Sequence, residues 1–174
     1  MIITFSGTHG AGKTTTARAV AERLGYEYYS VGAIMRDIAA ERNVTIKEFA
    51  EHLAREPELD REVDLRTKAL SGKTHLVVDA RMGWFFLPNS LKVFVTAPLS
   101  VRAARAFADP RKADGFESEY NAASQLEARQ EQISQNLVKL YGVDPYQESH
   151  FDLVIDTSEK SVDEVVDLIV AALN

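Results

Sequence analysis

Apolar residues run along this chain in short unbroken stretches, separated by segments in which they recur at helical spacing. Met1 to Phe5 has the length of a buried strand, and Ala17, Val20, Ala21 and Leu24 then share one helix face that Gly25 stops. Tyr26 to Ser30 predicts a second strand, built on tyrosines rather than aliphatics. Ile34, Ile38 and Ala39 give a short helical face, and Thr45 with Glu48 forms a capping-box pattern ahead of Phe49, Ala50 and Leu53. Leu59, Val63 and Leu70 mark a further helix after Pro57. Leu76-Val77-Val78-Asp79 predicts a buried strand ending in an acid, and Leu91 to Val95 another, closed by Ala97-Pro98. Arg102 to Tyr141 is polar and helical, with a looser centre from Asp109 to Gly115. Phe151 to Ile155 is the last strand, and a second capping box, Ser161 with Glu164, opens a helix striped by Val162, Val165, Val166, Ile169 and Leu173.

Strands that are apolar on both faces and alternate with helices predict an α/β fold around a parallel sheet, with right-handed crossovers. Two helical stretches, Ile34 to Leu70 and Arg102 to Leu140, break the alternation. Both leave the carboxyl ends of strands, where such folds bind ligands.

Composition narrows the functional classes. The 174 residues suit one domain and are 45% hydrophobic and 26% charged, ordinary for a globular chain. Cysteine is absent, which removes disulfides and thiolate metal sites. A net charge of −6 opposes general nucleic-acid binding, although a local cationic pocket remains compatible with it. No apolar run has the length of a membrane span, and the amino terminus enters a strand without a signal-like segment. The expectation is a cytoplasmic protein, a monomer or weak dimer, with no membrane or nucleic-acid partner.

The strongest chemical signal is Gly7-Thr8-His9-Gly10-Ala11-Gly12-Lys13-Thr14, a GxxxxGK[ST] pattern set between a predicted strand and a predicted helix. In a P-loop the backbone amides wrap phosphates, and glycine lets the chain approach their oxygens closely. Gly7 through Thr15 therefore form the predicted ATP site, with Lys13 reaching the β- and γ-phosphates and the Thr14 hydroxyl on Mg²⁺. Asp79 stands where a Walker-B acid would, able to hold Mg²⁺ through water or contact an acceptor; the alternative is an acid capping a strand end.

Further blocks carry a resemblance. Ser30-Val31-Gly32 with Met35-Arg36, Glu56-Pro57-Glu58-Leu59-Asp60, Val78-Asp79-Ala80-Arg81 with Gly83-Trp84, Tyr141-Gly142-Val143-Asp144 and Asp152 to Ser158 follow the P-loop in the order and spacing of the short cytidylate kinases common in archaea. The chain resembles that family over nearly its whole length. The resemblance implies a three-layer α/β/α P-loop fold with a five-stranded parallel sheet. It implies a nucleoside monophosphate-binding insertion over 31–71, a lid over 102–141, and Mg²⁺-dependent transfer of the ATP γ-phosphate to CMP or dCMP.

By that resemblance Arg81 binds the acceptor phosphate with Arg36 as partner, since a guanidinium fork matches phosphate oxygens where lysine gives a point charge. Ser30 bonds the acceptor base or sugar, or caps the next helix, or both. Asp60, Asp64 and Arg66 lie at helical spacing and can read the cytosine edge; the alternative is an exposed salt-bridged face. The lid arginines Arg102, Arg105, Arg111 and Arg129 are the candidates for delivering charge to the transferring phosphate. Two departures stand out. Asn136 occupies the place, seven residues after Arg129, where relatives usually carry arginine, with Asp109-Pro110-Arg111-Lys112 as a possible substitute or merely a turn. Thr8-His9 replaces the usual proline pair at positions that contribute backbone, with His9 expected to face solvent and the alternative a contact with a phosphate. Trp84, Phe85 and Phe86 should pack the core or wall the acceptor pocket, and Tyr26, Tyr28 and Tyr29 should pack. The competing functions are an adenylate kinase-like ATPase or nucleotide-binding regulator, and a kinase-like protein that binds nucleotide without turnover.

Overall fold

β1 (Ile2–Gly7) is buried at every position because it lies at the middle of the sheet. Five strands run parallel in the order β2-β3-β1-β4-β5, with β2 at Glu27–Ser30, β3 at Leu76–Asp79, β4 at Leu91–Thr96 and β5 at Leu153–Asp156. The computed structural model describes residues 1–45, 48–49, 57–109 and 116–173, and of 57–60 the backbone alone. Among these the helices are α1 (Lys13–Leu24), α2 (Val31–Glu41), α3 (Pro57–Ala69), α4 (Gly83–Phe86), α5 (Leu99–Phe107), α6 (Glu119–Tyr141) and α7 (Val162–Ala171). The fold is the expected three-layer α/β arrangement.

Strand alternation divides the core. Ile3, Phe5, Val77, Val93, Val95 and Ile155 pack against Ala17, Val20 and Ala21 of α1 and Val165, Val166 and Ile169 of α7. The other face carries Ile2, Leu76 and Val78 with Leu70 and Leu87. A separate cluster joins Ile34, Ile38 and Ala39 of α2 to Phe49 and Val63, the face predicted for the first insertion. Another ties Ala103 and Ala106 of α5 to Ala122 and Leu126 of α6.

The local signals act as their chemistry requires. Gly25 is left-handed and ends α1, with Tyr26 N–H returning to Ala21 O at 2.9 Å. That bond shortens β2 to start at Glu27 rather than Tyr26. Both capping boxes form: Glu48 N–H donates to Thr45 Oγ1 at 3.2 Å, and Glu164 N–H to Ser161 Oγ at 3.2 Å. The last strand begins at Leu153 rather than Phe151, because Phe151 turns to meet Phe94 and Trp84 and the Asp152 carboxylate accepts the Lys92 amide at 2.8 Å. Ala50, Leu53, Glu56, Arg111 and Lys112 lie outside the described residues, as do the side chains of Leu59 and Asp60.

Candidate active site

The loop between β1 and α1 is built by close backbone contact. Gly7 has φ +151°, and a Cβ there would lie 2.2 Å from Val95 O on the neighbouring strand. Gly10, at φ +86°, sits on the backbone of Arg102, its Cβ position 2.8 Å from Arg102 O. Glycine is the residue that meets both constraints. Helix α1 then starts at Lys13 without a side-chain cap, so its first amides face the cleft above the loop. That cleft, of about 620 Å³, is lined by the loop, Arg81 and Arg105.

Asp79 is buried and stands beside the loop because β3 pairs with β1, Phe5 opposite Asp79. Its carboxylate gathers three donors. Lys13 Nζ forms an ion pair with Oδ1, while Oδ2 accepts from Thr14 Oγ1 at 2.7 Å and from Tyr28 OH at 2.9 Å. Burial, and then the adjacent Asp79 charge, push the Tyr28 phenol up to about 12. Arg18 lies 4.3 Å over the ring of Tyr28. Thr14 and Asp79 together present the hard oxygen ligands that Mg²⁺ prefers, beside a cradle shaped for phosphates. They could hold that ion jointly with a bound triphosphate.

A second cleft, of about 470 Å³, opens on the other side of Lys13 and Thr14. Ser30 and Arg36 of the β2–α2 segment line it, with Asp64 of α3, Arg18, Tyr28 and Arg81. Ser30 also caps α2, accepting from Ala33 N–H at 3.2 Å. Arg81 lines both clefts. Its backbone is pinned where Ser6 Oγ donates to its carbonyl at 3.0 Å, and its Nη2 lies 3.2 Å from His9 Nε2. Burial pushes the half-buried Tyr146 phenol up, and Arg81 beside it pulls the other way.

Other expected residues stand elsewhere. Arg102 is 8% exposed; its Nε donates to Ala97 O at 2.9 Å, and its Nη1 reaches His9 O and Gln130 Oε1, each at 3.3 Å. It braces the loop from beneath and does not line the donor cleft, because α5 starts directly under Gly10. Arg105 does line that cleft, held by the β5–α7 turn: it donates to Thr157 Oγ1 at 3.0 Å and Thr157 O at 2.7 Å. Arg129 is exposed on α6 and lines neither cleft. Arg66 faces away from the second cleft, on the salt-bridged surface, paired with Glu41 at 2.7 Å and Glu62 at 3.3 Å. Asn136 is exposed on α6 and borders a smaller cleft with Arg81 and Asp64.

Three side chains in this region have partners that the sequence reading did not assign. His9 meets Arg81 instead of solvent. Tyr28 meets Asp79; its position two residues before Ser30, opposite Val77, puts it on the α1 side of the sheet, a signal that alternation did contain. Tyr141, at the end of α6, donates to Asp64 of α3 and joins Phe85 and Phe86 in walling a further cleft of about 650 Å³. Trp84 is buried and stacks on His150, ring centres 4.4 Å apart.

Among the described residues no group of three or more acidic or histidine side chains is arranged for a metal, and no helix is long and apolar enough to cross a membrane.

Known proteins corroborate the architecture. The family model described as the cytidylate kinase-like family matches residues 2–159. A cytidylate kinase of Pyrococcus furiosus is 35% identical over 175 residues, spanning all of this chain and 88% of that protein. One of Methanopyrus kandleri is 31% identical over 185 residues, spanning all of this chain and 93% of its own. Shikimate kinases of Bacteroides thetaiotaomicron and Acinetobacter baumannii share the fold, with TM-scores of 0.71 and 0.66 at 14% and 20% identity. Each alignment covers 99% of this chain and, in the same order, 98% and 92% of the neighbour. The chain belongs to the cytidylate kinase-like family, and so to the nucleoside monophosphate kinases.

Proposed function

We propose that this protein transfers the γ-phosphoryl group of ATP to CMP or dCMP with Mg²⁺, giving ADP and the corresponding diphosphate. The observation that carries the reading is Arg81, one guanidinium lining both the loop cleft and the cleft that holds Ser30 and Arg36. A hydrolase has no use for an arginine clamp on a second anion; a phosphotransferase does.

In this reading Gly7 through Thr15 hold the triphosphate, and Lys13 exchanges its Asp79 partner for the β- and γ-phosphates. Thr14 and Asp79 would hold Mg²⁺, which would supply neutralisation of the oxygens that bear charge during transfer. Arg81 and Arg36 hold the acceptor phosphate so that one of its oxygens faces the γ-phosphorus. That oxygen forms the new P–O bond as the bond from the γ-phosphorus to the β-γ bridging oxygen breaks, and the electron pair leaves with ADP. Ser30 and Asp64 offer bonds to the acceptor sugar and base. Residues 31–71 serve as the acceptor-binding insertion and 102–141 as the lid, with Arg105 bringing lid charge to the donor cleft.

One observation favours a second reading. Among the described residues of the lid, Arg102 is committed beneath the loop, Arg129 is exposed and Asn136 stands on α6, which leaves Arg105 as the described lid arginine that lines the donor cleft. An adenylate kinase-like ATPase or nucleotide-binding regulator would tolerate that. One assay separates the two: incubation with Mg-ATP and each monophosphate in turn, following ADP and diphosphate. Rapid diphosphate formation from CMP or dCMP supports the kinase. ADP release indifferent to every acceptor, or no turnover with tight ATP binding, overturns it. Arg81→Ala should raise the acceptor KM at least tenfold more than that of ATP, by roughly the loss of a bidentate charge-assisted contact.

A further inference from the structure

We infer that His9 is a positioning residue for the acceptor phosphate: from within the donor loop it holds the Arg81 guanidinium in place across the two clefts. The inference rests on the kinase reading above. Arg81 has a fixed backbone and a long free end, its carbonyl tied to Ser6 at 3.0 Å and the following turn closed by Gly83 N–H on Ala80 O at 3.0 Å. An arginine side chain has many rotamers, so its head is diffuse unless something grips it. His9 Nε2, 3.2 Å from Nη2, is a grip supplied by the donor loop, with the Tyr146 phenol also beside the guanidinium. The loop at His9 is itself rigid, since its carbonyl accepts from buried Arg102 at 3.3 Å.

The choice of partner matters chemically. A guanidinium only donates, so Nε2 accepts and the imidazole at this contact is neutral. A carboxylate in the same place would cancel the charge of Arg81 and repel an incoming phosphate. Neutral imidazole takes one N–H and leaves the full positive charge, with other N–H groups free to fork onto phosphate oxygens. His9 also lies in the donor loop, so the part that seats one phosphate positions the cation that seats the other. Alignment of reacting groups is where phosphoryl transfer gains most of its rate.

The test is steady-state kinetics of the full chain with CMP varied at saturating Mg-ATP, and with ATP varied at saturating CMP. His9→Leu keeps bulk and loses the acceptor; His9→Asn keeps a carbonyl oxygen that can take the Arg81 proton. We expect His9→Leu to raise the CMP KM about tenfold, the scale of one charged hydrogen bond, and the ATP KM less than about twofold. His9→Asn should recover most of the loss. In an Arg81→Ala background His9→Leu should add nothing to the CMP KM, because the group it positions is gone. Equal rises for both substrates, an unchanged CMP KM, or an effect that persists without Arg81 would each overturn the inference while leaving the kinase reading intact. A wild-type protein that phosphorylates no monophosphate would overturn both.

Discussion

Replacing Arg102 by methionine tests whether that side chain is structural support or part of the chemistry. Methionine keeps the apolar stem and loses the guanidinium. Three hydrogen bonds go with it, to Ala97 O at 2.9 Å and to His9 O and Gln130 Oε1 at 3.3 Å. The Ala97 bond is fully buried, and a buried carbonyl left without a donor costs about 1–3 kcal/mol. His9 O and Gln130 are part-buried, so water repairs some of their loss. Against this stands the desolvation of a charge: burial pulls the Arg102 pKa down, with Tyr146 and then Glu127 only partly offsetting it. The balance is a loss of about 2–4 kcal/mol. For a chain of this size that is a fall in Tm of about 5–15 °C, or about 1–2 M in urea midpoint. Because Trp84 is the single tryptophan and is buried, its fluorescence can follow the transition alongside circular dichroism. ATP affinity should weaken modestly, since Gly10 rests on Arg102 and the loop loses its floor. A midpoint within about 0.2 M of wild type, with kcat down a hundredfold or more, would refute this reasoning and put the guanidinium on the transferring phosphate.

Tyr28→Phe removes one donor from Asp79 and should lower kcat by about tenfold, with acceptor KM little changed, as measured in the coupled kinase assay. The raised pKa of Tyr28 has a definite sign: its stabilisation is whole below the ordinary phenol value of 10.0 and is lost as pH climbs towards about 12, so ultraviolet titration of the variant should show one fewer late-ionising phenol than the wild type. Gly7→Ala drives a Cβ to 2.2 Å from Val95 O and should destabilise by about 3 kcal/mol or more, whereas Gly12→Ala meets no atom within 4 Å and should cost only about 1–2 kcal/mol for its φ of +87°, as urea melts would resolve. Glu164 is held below its ordinary value of 4.5 by its bonds to Ser161, so that contribution is present above about pH 4.5 and vanishes as pH falls through the lower folded value. Ser161→Ala should therefore lower the urea midpoint at pH 7 more than at pH 3.

How much of this was legible in the chain divides by the kind of interaction. Leu76–Asp79, the glycine-rich turn, the Gly25 stop and the capping boxes are encoded by residues a few positions apart, and they appear where the pattern puts them. A backbone conformation needs only local steric and capping information. The starts of β2 and β5 moved by one and two residues because the cap of α1 claimed the Tyr26 amide and aromatic partners claimed Phe151. Long polar side chains are a different problem. Arg102, Arg66 and Arg105 occupy positions the pattern identifies, yet Arg102 finds its loop partner 93 residues away, Arg66 finds Glu41 25 away, and Arg105 finds Thr157 52 away. Nothing within a helical turn of Arg102 or Arg105 states which way each will reach, whereas Arg66 has Glu62 one turn back, the salt-bridged face that the pattern allowed. The same physics explains the converse errors at Tyr28 and His9. Each has a bland local reading, and each acquires its partner only when β3 takes its place: Asp79 reaches Tyr28 through the pairing with β2, and Arg81 reaches His9 through the pairing with β1. Asp79 is the last residue of β3 and Arg81 lies two residues on. Parallel pairing of β1 with β3 thus assembles the site in one step: it delivers a carboxylate to the lysine and threonine of the loop and an arginine to its histidine. A substitution that shifted β3 by one residue would invert its two faces and separate all five groups at once.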